Sequence, residues 1–203
     1  MNLPNKITIA RILLVPVMVI IPLIAPYIGL DKQILYGVSI SNIFLLIVFL
    51  VASFTDYLDG HMARSRNMVT NFGKFLDPIA DKLLVFTALI MLVETHMIPA
   101  WIPIVIAARE FMVSAIRMVV ASEGTVIAAS MLGKIKTVSQ MVAISLAFLD
   151  VNPLMAFTSG TLNGFFLCLN VLMSIAMFVC VIATIWSGVD YFMKSKEVIL
   201  KSK

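Results

Sequence analysis

Residues 34–58 read ILYGVSISNIFLLIVFLVASFTDYL, 25 residues with Asp56 as the one charge. About 20 predominantly apolar residues suffice for a helix to cross the hydrocarbon core of a bilayer. The stretch lacks the strict alternation of a barrel strand, and a backbone in lipid must satisfy its polar groups internally, so it reads as a spanning helix. Five further stretches, 8–29, 76–97, 99–122, 131–149 and 163–192, have the same character. The whole chain agrees with them: 203 residues are 61% hydrophobic and 13% charged, with a mean hydropathy of +1.05, where a soluble domain carries about 25% charged residues. A water-soluble globule is thereby excluded, and the length leaves no room for a separate soluble domain. The expected fold is all-α, a single membrane domain over residues 1–203 with six transmembrane helices. Pro16, Pro22 and Pro26 are expected to kink or shorten the first helix. That helix does not read as a cleaved leader, because its apolar run is too long and no small-residue cleavage site follows it before Gly29.

Lys and Arg set the orientation. Lys6 and Arg11 precede the first helix; Arg64, Arg66 and Lys74 lie between the second and third; Lys134 and Lys136 enter the fifth; Lys194, Lys196, Lys201 and Lys203 close the chain. The opposite side has Lys32, and its loops 94–99 and 150–162 have no basic residue. The positive-inside rule then puts both termini and the 59–75 loop in the cytoplasm. A surplus of 15 Lys and Arg over 11 Asp and Glu is too small to indicate a nucleic-acid partner. Cys168 and Cys180 share one apolar run, about 18 Å apart as a helix, too far for a disulfide. His61 and His96 lack partners at zinc spacing, and Trp101 and Trp186 read as interface anchors.

Four of the eleven acidic residues fall within 56–81. Asp56 and Asp59 are three apart and Asp77 and Asp81 four apart, so each pair occupies one helix face. Gathered at the cytoplasmic ends of the second and third helices, they would repel one another unless cations or protons neutralise them. An all-carboxylate oxygen site selects a hard ion such as Mg²⁺, Mn²⁺ or Ca²⁺, with room for two. Beside the acids, Gly60 lets a ligand approach the backbone and Arg64 can offer a fork of donors to a phosphate. Carboxylates and an Arg at headgroup depth describe a diphosphate site facing lipid.

A second group of charges lies deeper. Arg109 falls near mid-bilayer in the fourth helix, where an ionisable residue is a functional candidate by default. Arg117, eight residues on and about 80° around the helix, is able to reach the same cavity. Lys134 and Lys136 follow Ser130 and Gly133 into the fifth helix, beside exposed helix-start amides, which makes an anion site. The competing reading is an ion pair between Glu110 and a basic neighbour, with snorkelling lysines.

The run Asp56-x2-Asp59-Gly60-x2-Ala63-Arg64-x8-Gly73-x3-Asp77-x3-Asp81 resembles, at all eight fixed positions, the signature of the CDP-alcohol phosphatidyltransferase family. The resemblance extends over the whole chain, because that family has a core of six transmembrane helices. It implies a homodimer in the plasma membrane, with a cytoplasm-facing pocket holding two divalent cations, Mg²⁺ or Mn²⁺, and CDP-diacylglycerol. By position, Asp56, Asp59 and Asp77 resemble metal ligands, and Asp81 completes the cluster as the general base. Gly60, Ala63, Arg64 and Gly73 resemble the part that receives the cytidine nucleotide and its diphosphate. Asn5, Thr8 and Arg11 stand where they can border the nucleotide, with helix capping by Asn5 or Thr8 the competing reading.

The implied reaction is phosphatidyl transfer with release of CMP. A basic pocket of Arg109, Arg117, Lys134 and Lys136 favours an acceptor that carries a phosphate of its own, such as glycerol 3-phosphate, with inositol phosphate the alternative. Resemblance points the same way through Leu3–Arg11, Ala108-Arg109-Glu110 with Arg117, and Gly133–Thr137 with Gln140. A cation transporter would place acids near mid-membrane on several helices. A membrane prenyltransferase leaves the spacing of Gly60, Ala63, Arg64 and Gly73 without a role.

Overall fold

The computed structural model describes residues 3–35, 38–65, 71–122, 131–160, 162 and 164–201, with side chains given for 6–33, 38–55, 76–120, 131–160, 162 and 164–196. Six α-helices account for most of them: α1 Leu3–Ile28, α2 Ile40–Ser65, α3 Asn71–Glu94, α4 Trp101–Ser122, α5 Met131–Leu149 and α6 Gly164–Lys201. The all-α expectation holds, with one local exception. Gln33–Leu35 (β1) pairs antiparallel with Val38–Ser39 (β2), so the first described residues of the 34–58 stretch are in strands and α2 begins only at Ile40. Ser39 fixes that start, since its hydroxyl accepts the amide of Asn42 at 3.2 Å.

The helices also run past the limits that hydropathy draws. Where a loop over 59–75 is expected, α2 continues to Ser65 and α3 begins at Asn71. Polar residues leave the apolar stretch without breaking helical hydrogen bonding. The first helix is likewise unbroken through Pro16, Pro22 and Pro26. It stops at Gly29, whose φ of 75° lets the Leu30 amide turn back to the Ala25 carbonyl at 3.0 Å.

The chain divides into two compact units. The first comprises Met1–Met97 with Ala147–Val151. In it α1 packs on both α2 and α3, and Ala25, Ala52, Ala80 and Ala88, all fully buried, let the helices approach closely. Larger side chains fill between them: Met18, Leu45, Phe49, Leu84, Leu89 and Leu92, with the Phe49 and Phe148 rings 6.3 Å apart. The second unit comprises Ile98–Leu146 with Asn152–Lys203, and there α4 packs on α6. Val113, Ile116 and Val120 of α4 enclose Tyr191 of α6.

Outward faces are apolar in both units. Leu13, Leu23, Ile104, Phe111, Met118, Ile182 and Trp186 are all more than 40% exposed, a surface suited to lipid. Lys6–Ile28, Met131–Leu149 and Gly164–Lys196 are long and apolar enough to cross a membrane, and Ile40–Thr55 is a shorter apolar run. The remaining two helices are interrupted by charge: Asp77, Asp81 and Lys82 in α3, and Arg109, Glu110 and Arg117 in α4.

The loop before α6 is held by two buried polar side chains. Asn170 accepts the Phe157 amide at 2.9 Å and donates to the carbonyls of Pro153 (3.0 Å) and Asn152 (3.4 Å). Ser174 accepts the amide of Met155, which sits at a left-handed φ of 64°. A non-glycine residue keeps that conformation when its surroundings fix it. Asn170→Ala, which removes the side-chain partner of three part-buried backbone groups at about 1 kcal/mol each, is expected to lower the melting temperature of the purified protein by about 5 °C. Limited proteolysis of the same variant should cut within residues 152–160 first.

Candidate active site

All four aspartates of the signature lie on helices of the first unit. Asp56, Asp59, Gly60, Ala63 and Arg64 occupy the last turns of α2, and Gly73 the first turn of α3; their side chains, with that of Asn5, fall outside those described. Asp77 is exposed in the second turn of α3, and Asp81, partly buried, follows one turn later on the same face.

Thr8 belongs to this cluster by contact. Its hydroxyl, 1% exposed, donates to Oδ1 of Asp77 at 2.7 Å. Thr8 lies inside α1, which begins at Leu3, so the competing reading of it as a helix cap does not hold. One turn on, Arg11 is also 1% exposed and donates through Nε to the Ala52 carbonyl at 3.3 Å. The same carbonyl accepts the Thr55 hydroxyl at 2.8 Å, one turn before Asp56. A threonine and an arginine three residues apart on α1 thus fasten that helix to α3 and to α2 beside the acidic residues.

The donor set fits a hard divalent cation. Thr8 fixes one oxygen of Asp77 and leaves the other for a ligand, and Asp81 adds a carboxylate on the same helix face. Among the described residues no three Asp, Glu, His or Cys side chains gather at ion-binding distance; the side chains of Asp56 and Asp59 are not in that set.

The four basic residues with an expected anion role, Arg109, Arg117, Lys134 and Lys136, all lie in the second unit. Two of them meet on one atom: Arg109 Nη1 (3.0 Å) and Lys136 Nζ both contact Oε1 of Glu110. The expected competing ion pair of Glu110 is therefore present and includes both. Lys136 is 4% exposed, whereas Lys134, two residues away and on the other side of α5, is exposed. Arg109 Nη2 donates to the buried Ser187 hydroxyl, while Arg109 Nε is buried with no hydrogen-bond partner among the described residues. Gln140 Nε2, one turn after Lys136, is in the same condition. Arg117 donates through Nε to Tyr191 Oη at 3.2 Å, its guanidinium carbon 5.4 Å from the ring centroid.

Ser187 and Tyr191 carry no expectation from the sequence, where they sit in an apolar run. Their spacing of four, with Gly188 between, is the signal available there: a small polar residue and an aromatic hydroxyl on one helix face.

Comparison with known proteins finds relatives along the whole chain. The chain is 45% identical over 209 aligned residues to a CDP-diacylglycerol–glycerol-3-phosphate 3-phosphatidyltransferase of Bacillus subtilis, covering 99% of this chain and 98% of that one. A protein of the same name from Rickettsia felis is 35% identical, over 97% of this chain and 96% of its own length. A probable phosphatidylglycerophosphate synthase of Mycobacterium tuberculosis is 37% identical, over 94% of this chain and 79% of its own. The profile of one family matches residues 1–186, a span that takes in the aspartates of α2 and α3 and the charges of α4 and α5. With that match and those relatives, the chain belongs to the CDP-alcohol phosphatidyltransferase family.

Proposed function

We propose that this protein transfers the phosphatidyl group of CDP-diacylglycerol to glycerol 3-phosphate, giving phosphatidylglycerophosphate and CMP. The observation that carries this reading is similarity along the full length to proteins named for that reaction. The geometry of the second unit supports the acceptor: Arg109 is a partly buried cation with an Nε–H that takes no partner among the described residues, donor capacity suited to an anion. The enzyme would work as a homodimer and a single functional domain in the plasma membrane, with six spanning helices, both termini and the active site facing the cytoplasm.

In this reading Asp56, Asp59, Asp77 and Asp81 hold two divalent cations, Mg²⁺ or Mn²⁺, whose chemistry when bound is to neutralise the diphosphate and the departing CMP. Thr8 keeps Asp77 turned toward its ligand. Asn5, Thr8, Gly60, Ala63, Arg64 and Gly73 receive the cytidine diphosphate. Arg109 and Arg117 bind the acceptor phosphate, with Lys136, paired to Glu110, closing the pocket and Lys134, exposed on the opposite side of α5, left outside it. The acceptor hydroxyl attacks the lipid-side phosphorus and the bond from that phosphorus to the CMP oxygen breaks, the electron pair leaving with CMP. The hydroxyl proton passes to Asp81. Because any carboxylate is a weak base toward an alcohol, oriented contact supplies most of the help it can give.

Four measurements test the reading. Exhaustive chelation should abolish CMP release and Mg²⁺ or Mn²⁺ restore it, and Thr8→Val should raise the Mg²⁺ concentration for half-maximal rate by about tenfold. Asp81→Asn should lower kcat by about 10²-fold or more while CDP-diacylglycerol binding persists. With purified enzyme and CDP-diacylglycerol, glycerol 3-phosphate should drive CMP release while glycerol, myo-inositol and serine stay near background. Equal use of inositol phosphate would move the assignment to another acceptor within the same chemistry.

A further inference from the structure

We propose that Ser187, Gly188 and Tyr191 of α6 are positioning residues that set the aim of Arg109 and Arg117 and thereby decide how well the enzyme uses an acceptor bearing its own phosphate. The proposal rests on the acceptor role given above to the two arginines. Three contacts on one stretch of α6 carry it. The Ser187 hydroxyl, fully buried, accepts from Arg109 Nη2, while Glu110 accepts from Nη1 at 3.0 Å. With both ends of the fork held, the guanidinium plane is fixed, and its Nε–H takes no partner among the described residues.

Gly188 gives the arginine stem its seat. A Cβ at that position would lie 3.2 Å from Arg109 Cγ and 3.3 Å from Met112 Cε, so the α6 backbone itself is the surface on which the stem rests. A methyl group there would displace the stem by a few tenths of an ångström, and leverage along the side chain enlarges that shift at the guanidinium.

Tyr191 plays the matching part for Arg117. Its ring is 1% exposed and packed by Val113, Ile116 and Val120, so the hydroxyl that accepts from Arg117 Nε is a rigid anchor. Ser187 and Tyr191 are one turn apart on α6, and Arg109 and Arg117 two turns apart on α4. The two arginines differ by about 80° in direction on their own helix, and contact with a single face of α6 brings them into line.

The test is glycerol 3-phosphate titration of CMP release at saturating CDP-diacylglycerol. Ser187→Ala and Gly188→Ala should each raise KM for glycerol 3-phosphate by about three- to tenfold, with kcat and KM for CDP-diacylglycerol within about twofold of wild type. Tyr191→Phe, which keeps the packed ring, should raise it by about threefold. In an Arg109→Ala background Ser187→Ala should add nothing further, because it acts through that side chain. A normal acceptor KM in Ser187→Ala, where Arg109→Ala raises it, would overturn the positioning role and leave the acceptor role standing. So would independent, multiplicative effects in the double variant, or a joint loss of kcat and CDP-diacylglycerol affinity, the mark of a loosened helix. An unchanged acceptor KM in Arg109→Ala itself would instead remove the acceptor role on which the proposal stands.

Discussion

A charge enclosed by apolar helices must find its counter-charge and hydrogen-bond partners within reach of its own side chain. Much of this structure follows from that constraint. Arg109 and Lys136 converge on Glu110, and Ser187 takes what Glu110 leaves. In the first unit Arg11 turns to a main-chain carbonyl of α2, and Thr8 to a carboxylate of α3. Packing between apolar helices is tolerant of rotation, because one aliphatic contact substitutes for another. These polar contacts are not, so they select the rotation of each helix, and with it the direction in which the functional groups point.

Two kinds of chemistry are separated in the chain by the same logic. Carboxylates gather in the first unit, where Asp77 is exposed and Thr8 holds one of its oxygens. Cations gather in the second, where Glu110 holds part of the positive charge and Arg109 Nε takes no partner among the described residues. A diphosphate and a second phosphate are both anionic, and a site for each has to be built with a different counter-charge if one is to be activated and the other merely held. Acids that recruit cations suit the first task; arginines suit the second.

Spacing along the chain made much of this legible. The acidic pairs, three and four residues apart, have their common faces dictated by helical geometry, and α5 matches its apolar stretch at both ends. Other boundaries were hidden, because hydropathy marks where lipid ends and not where helical hydrogen bonding does. The end of α2 at Ser65 and the end of α6 at Lys201 both lie in polar sequence. Contacts that join distant residues were hidden too: Thr8 and Asp77 are 69 residues apart, Arg109 and Ser187 78 apart. Lys134 and Lys136 look alike in sequence, yet a helix turns about 200° between them. Which one faces Glu110 is decided by the rotation of α5, a tertiary property.

The three prolines of α1 have a bearing on how the protein meets membranes of unequal depth. Each proline lacks an amide hydrogen, so the carbonyls of Ile12, Met18 and Pro22 receive no helical hydrogen bond from the residue four places on. These weak points all lie C-terminal to Arg11, on its far side from Thr8 and Asp77. Bending to accommodate a thinner or thicker bilayer is therefore concentrated at the compliant end, while the end fastened to α2 and α3 keeps its hydrogen bonds. A helix built this way isolates Asp77, which Thr8 holds, from the mechanical variability of the lipid around it.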